Sequence, residues 1–115
     1  MIVVVTEDGT VEVVDSVEDA QRYEAIDVEN RVFVFYDEDG SWLRPRFTQP
    51  NRYRFFGLIL EQGAYVLEPS GKLDPEVDPL PVALAEAHSL KPNAHFPDLA
   101  SMRRHFGSPA LPGVR

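Results

Sequence analysis

Ile2-Val3-Val4-Val5-Thr6-Glu7-Asp8-Gly9-Thr10-Val11-Glu12-Val13-Val14 is a pair of β-branched runs joined by an acidic turn. Side chains branched at Cβ favour extended backbone, and Gly9 accepts the positive φ that a tight reversal requires. The stretch predicts a β-hairpin with strands at about 2–6 and 10–14. Strands joined so closely pair antiparallel, because a parallel pair needs a long crossover.

The same chemistry recurs downstream. Arg31 to Tyr36 is strand material, Asp37-Glu38-Asp39-Gly40 is another acidic turn, and Ser41 to Phe47 is the return strand, where Pro45 points to an edge or a bulge. Between the two hairpins Ser16 is a good N-cap, with Glu18 and Asp19 in the first turn, where the helix dipole favours negative charge. Val17, Ala20 and Tyr23 recur at helical spacing and predict a helix over about 17–25. Arg52 to Glu61 reads as a fifth strand and Ala64 to Glu68 as a sixth.

Most of the ten prolines fall from Pro69 onward and break the last third into short pieces. Asp78 caps a helix with Pro79 at its first position, continuing through Val82 to His88. Pro97-Asp98 opens a second, with Leu99, Met102 and Phe106 on one face and Gly107 as terminator. Residues 108–115 read as a flexible C-terminal tail. The order β-β-α-β-β-β-β-α-α makes residues 1–107 a single α+β domain. It has a mostly antiparallel sheet of five or six strands, a helix packed on one face, and two short C-terminal helices.

The chain has 115 residues, of which 43% are apolar and 26% charged, enough for one core but not for two full-sized domains. Cys is absent, which removes disulfides, thiolate metal sites and cysteine nucleophiles. No apolar run approaches membrane-span length, and the N-terminus lacks the basic flank of a signal peptide. A cytoplasmic location is the expectation.

The net charge of −8 is unevenly distributed. Residues 1–39 carry twelve acids and two bases, residues 40–60 carry four arginines and no acid, and the remainder is close to balance. The total argues against a protein that coats nucleic acid. It leaves room for a local anion site.

Several chemistries fail at their motifs. Read as a calcium loop with Gly40 at the sixth position, the acidic turn would place Phe35 and Arg46 at the first and last ligand positions, and neither binds calcium. Pro69-Ser70-Gly71-Lys72-Leu73 lacks the second glycine and the hydroxyl residue of a phosphate loop. His88, His95 and His105 have no helical metal spacing, and no serine sits in a nucleophile elbow. No catalytic residue, metal or cofactor is assigned, and the chain is read as not an enzyme.

Two binding faces remain. On extended strands Arg44 and Arg46 share one face, and Arg52 and Arg54 share one face. If those strands are neighbours, the four guanidinium groups form a basic patch beside Trp42 and Tyr53, suited to an anionic ligand or nucleic acid. The alternative is that the arginines balance acids across the sheet. The second hypothesis comes from the opposite charge: an acidic surface that includes Glu18, Asp19, Asp37, Glu38 and Asp39 is suited to engage a basic protein. A protein partner is the first expectation, nucleic acid the second. Exposed sheet edges leave a route to a homodimer.

Ser16-Val17-Glu18-Asp19-Ala20, Tyr23 to Glu29 and Phe35 to Gly40 resemble segments of small acidic bacterial proteins of immunity-protein type. That resemblance implies an inhibitor that works by binding a protein toxin. It carries no individual functional residue.

Overall fold

Three consecutive residues of the first strand, Ile2, Val3 and Val4, are buried, the last two completely. Successive strand side chains point to opposite faces, so burial at consecutive positions requires cover on both. The computed structural model, which describes residues 1–54, 59–71 and 74–107, provides that cover. In chain order the elements are β1 (Ile2–Thr6), β2 (Thr10–Val14), α1 (Val17–Ala20), α2 (Ala25–Glu29), β3 (Phe33–Tyr36), β4 (Trp42–Gln49), β5 (Arg52–Arg54), β6 (Ile59–Glu61), β7 (Ala64–Pro69), α3 (Leu80–Glu86), β8 (Ser89–Leu90) and α4 (Leu99–Phe106). The fold is α+β. Six strands form a mostly antiparallel sheet in the order β7-β4-β3-β1-β2-β8, while β5 and β6 form a separate ribbon.

One face of the sheet packs Ile2, Val4, Phe35, Leu43 and Tyr65 against Ala20, Ala25 and Val28 of α1 and α2. The other packs Val3, Val11 and Tyr36 against Leu80, Leu84 and Met102 of α3 and α4. The helical cover expected on one face is supplied by α1 and α2, and the two C-terminal helices cover the other, which makes three layers with β1 at the centre. No helix among the described residues is long and apolar enough to cross a membrane.

The single helix expected over 17–25 is two. Ser16 Oγ caps α1 by accepting from Asp19 N at 3.1 Å, as its residue type predicts. The helix closes after one turn, and Glu24 is extended at φ −61°, ψ 124° before α2 begins. The break lets the Tyr23 ring pack 4.5 Å from Phe33, a tertiary contact that outweighs helical periodicity. It also leaves Val17 at 43% exposure, outside the apolar stripe it was expected to join.

The C-terminal helices differ in the same sense. Asp78 does not cap α3, because its carbonyl accepts from Tyr36 Oη at 2.6 Å and Pro79 takes the N-cap position. The helix ends at Glu86, where buried Ala87 turns extended and leads into β8. β8 pairs parallel with β2, Val11 opposite Leu90, and two residues are too few for a pattern to announce. The second helix is as expected: Asp98 accepts from Ser101 N at 2.7 Å, and Gly107 ends it at φ +90°.

The strand expected over 52–61 is also two, because β5 and β6 pair with each other, Arg52 opposite Glu61. An apolar run reads alike as one strand or as both halves of a ribbon. Residues 55–58 of that expectation, Lys72 and Leu73, and the tail at 108–115 lie outside the described residues.

Two backbone details shape the sheet. Leu67 N–H donates to Gln21 Oε1 at 2.9 Å, so it points away from β4. Leu67 pairs with Pro45, whose nitrogen consequently faces β3. Asp37 N donates to Ser41 O at 2.8 Å, which fixes the same alternation along β4. Continued by two residues, the register would require Pro45 to donate to Phe33, and proline has no N–H to give. The β3–β4 ladder accordingly stops after Phe35–Leu43 and Tyr36–Trp42, and a seam opens beyond it. Pro45 thus sits at an interrupted ladder within the sheet, not on an outer edge strand.

The second detail is a corner where β4 passes into β5. Asn51 Oδ1 accepts from Gly63 N at 2.7 Å, and its Nδ2 donates to Glu29 Oε2 at 2.6 Å and Ala25 O at 3.2 Å. Ile26 N donates to Gln62 Oε1 at 3.0 Å. Both sides of the corner are thereby tied to α2.

Candidate functional site

Arg44 and Arg46 share a face of β4, with Leu43 and Phe47 on the other. The neighbour of β4 is β7, however, not β5. Arg44 Nη2 donates to Glu68 Oε1 at 2.8 Å and Arg46 Nε to Glu68 Oε2 at 3.0 Å, so one carboxylate serves two guanidinium groups. Arg52 and Tyr53 lie on the β5–β6 ribbon, Tyr53 at 58% exposure, and Arg54 is opposite Ile59 in the backbone register. Neighbouring strands therefore do not assemble the four arginines into one patch, because the corner at Asn51 carries β5 off the sheet.

Hydrogen bonds hold four carboxyl groups below their usual range. The Thr6 hydroxyl does this for Asp8, Arg44 and then Arg46 for Glu68, the Glu76 N–H and then Arg31 for Asp74, and the Ser101 N–H for Asp98. A carboxyl group depressed in the folded state stabilises it fully above the unfolded value and loses that contribution as pH falls through the folded value. The urea midpoint is expected to be level near neutrality and to fall below about pH 4.5, the ordinary value for Glu68. Glu68→Gln should flatten part of that decline. A midpoint that stays level down to about pH 3 would contradict these assignments.

The acids singled out from the sequence lie at one end of the sheet. Val3 pairs with Val13 on one side and Tyr36 on the other, so the β2–α1 and β3–β4 connections leave the same end. Glu18 and Asp19 sit in the first turn of α1, and Asp19 pairs with Arg22 at 3.6 Å. Asp37 Oδ1 accepts from Asp39 N and Ser41 N at 2.9 and 3.0 Å, which fixes the turn and leaves Glu38 and Asp39 exposed.

A concave site lies at the opposite end. A cavity of about 340 Å³ opens between the β1–β2 turn and α3. Its floor is apolar, made by Val5, Val34, Val77, Ala83 and Ala87 beside the Tyr36 ring. Its rim carries Glu7, Asp8, Glu76, Asp78 and Glu86, with Arg31 and His88. The turn is rigidly held: Thr6 Oγ1 donates to Asp8, and Thr10 N donates to Asp8 Oδ1 at 3.0 Å. A ring nitrogen of His88 lies 2.6 Å from Asp8 O, and His88 N donates to Gly9 O at 3.0 Å. Gly9 has φ +88°, and a Cβ there would stand 2.7 Å from the His88 ring, so glycine is required for both turn and contact. Burial pushes the Tyr36 phenol above its usual range, so it remains a neutral donor to Asp78 O.

Arg31 is the one arginine among the described residues that line the cavity. It follows α2 at φ +59°, a position where glycine costs less. Its Nη2 lies 3.0 Å from Asp74 Oδ2 and its Nη1 3.6 Å from Glu76 Oε2. Among the described residues, five acidic residues and one arginine thus line the cavity together with an apolar set, a composition suited to a cationic head on an apolar stem. Among the described residues no group of three or more His or acidic side chains is placed to hold a metal ion.

Glu7 and Asp8 are visible as turn acids and Asp78 as a helix cap, but Glu76 and Glu86 are not singled out. The local signal was there: Asp74-Pro-Glu-Val-Asp78 alternates acids with helix-breaking or apolar residues directly before α3. Compared with family models, curated proteins and solved structures, the chain matches none.

Proposed function

We propose that the protein acts non-enzymatically, by binding a basic segment of a partner protein, with an arginine or lysine seated in the cavity between the β1–β2 turn and α3. The observation that carries this reading is a cavity lined by apolar residues and five acidic residues, with one arginine among the described residues. The floor suits the methylene stem of a basic side chain and the rim its charged head. Several cations are committed elsewhere: Arg22 to Asp19, Arg44 and Arg46 to Glu68, Lys91 to Glu12, and Arg103 to the carbonyls of Leu84 and Ala87. An inhibitor of immunity type, acting in the cytoplasm on a basic toxin, is the fuller form of this reading.

The test is calorimetric titration with an arginine-rich peptide at low and at physiological salt. Binding that weakens with salt is expected, because exposed charges are screened. Glu76→Gln with Glu86→Gln should weaken it by roughly tenfold, or about 1.4 kcal/mol. Glu38→Gln with Asp39→Asn, at the far end, should leave it unchanged. Equal loss from both pairs, or loss only from the far one, would move the contact face away from the cavity.

A further inference from the structure

A second cavity, of about 270 Å³, opens where the β3–β4 ladder stops. Its apolar lining includes Phe33, Phe35, Trp42 and Phe47, with Pro45 and Val77. A cavity of roughly 150 Å³ holds one benzene ring, so this one has room for two fused rings. The charged residues of the lining are matched. Among the described residues they are Arg31 and Arg44 on one side of the account, Glu29 and Asp74 on the other. Arg31 donates to Asp74 at 3.0 Å, and Arg44 donates to Glu68 on β7, the flank of β4 away from the seam. The seam therefore favours neither sign of charge.

What it offers instead is unpaired backbone. Val32 O accepts from Glu7 N at 2.9 Å on the β1 side, and Asp37 N donates to Ser41 O on the β4 side. Alternation then turns the N–H and C=O of both Phe33 and Phe35 toward β4. Phe35 is paired with Leu43, but the register would place Pro45 opposite Phe33, and proline has no N–H. The N–H and C=O of Phe33 and the C=O of Pro45 are left without ladder partners beside aromatic side chains, where an unpaired backbone group is costly.

We infer that this seam is a binding site for a small neutral aromatic molecule of two fused rings with one N–H or O–H. The rings lie among Phe33, Trp42 and Phe47, and the polar hydrogen goes to an unpaired carbonyl of the seam. Aromatic walls with a few directed polar groups are the usual composition of such sites. A charged relative of the same shape loses solvation and gains no free counter-charge. The missing proline donor creates the opening, so the site is built into the sheet.

The probe is indole, titrated into isotope-labelled protein and followed by NMR. Trp42 is the chain's single tryptophan, so its ring N–H signal is unambiguous. Indole is expected to shift that signal and the Phe33 amide saturably, while the Gly9 amide, on the acid-rimmed cavity, stays in place. Indoleacetate and tryptamine should bind at least about tenfold more weakly. Pro45→Val tests the cause. Valine supplies the missing N–H, so the ladder extends to Phe33, the seam closes, and indole affinity falls about tenfold. The substitution breaks no hydrogen bond of residue 45, because proline donates none. In the wild-type protein, absence of saturable binding, equal affinity for either charged relative, or shifts at Gly9 in place of Trp42 would each overturn the proposal. So would undiminished affinity in folded Pro45→Val.

Discussion

Gly63→Ala is expected to destabilise the protein by about 3 kcal/mol, lowering the thermal midpoint by roughly 12 °C. A Cβ at Gly63 would stand 2.1 Å from Gln49 O and 2.7 Å from the Pro50 carbonyl carbon. Both are backbone atoms and cannot swing aside as a side-chain tip would. Relief would require opening the corner, which would also stretch the Gly63 N–H to Asn51 bond and, through Asn51, the ties to Ala25 and Glu29. Gly71→Ala is the control, since a Cβ there meets nothing within 4 Å. Urea melts of the two variants settle the matter. A difference below about 0.5 kcal/mol between them would show that the corner yields at little cost.

Leu84→Ala should cost a comparable amount, about 3 kcal/mol, as buried leucine truncations do. Leu84 is completely buried, packed with Val3, Val11, Tyr36 and Met102 under the second face of the sheet. Val3 and Val11 on the sheet side of the cavity are β-branched and have little freedom to collapse into it. The measurement also discriminates between architectures. In a two-layer protein α3 would rest loosely on the surface and the loss would stay near 0.5 kcal/mol. A loss under about 1 kcal/mol would remove the third layer described above.

What the sequence disclosed follows from how local each signal was. The first hairpin was legible because its turn residue and both strand patterns lie within thirteen neighbouring positions, and its strands fall at Ile2–Thr6 and Thr10–Val14. The Ser16 and Asp98 caps were legible for the same reason. The second covered face was present in the unbroken apolar run from Ile2 to Val5, but one-sided cover was inferred because a single helix follows the first hairpin. The split helix and the β5–β6 ribbon depended on contacts between distant segments, Tyr23 with Phe33 and Asn51 with α2, that no window contains. The acid-rimmed cavity was hidden likewise. Its carboxylates come from a turn near the N-terminus and a proline-broken segment seventy residues later, joined only by the packing of α3 on the sheet.

Arg31 lines both cavities. Its guanidinium is bonded to Asp74 at 3.0 Å and stands 3.6 Å from Glu76, in the segment that leads into α3. A residue held at positive φ directly after α2, at some cost in backbone energy, thereby fastens the helices on one face of the sheet to those on the other.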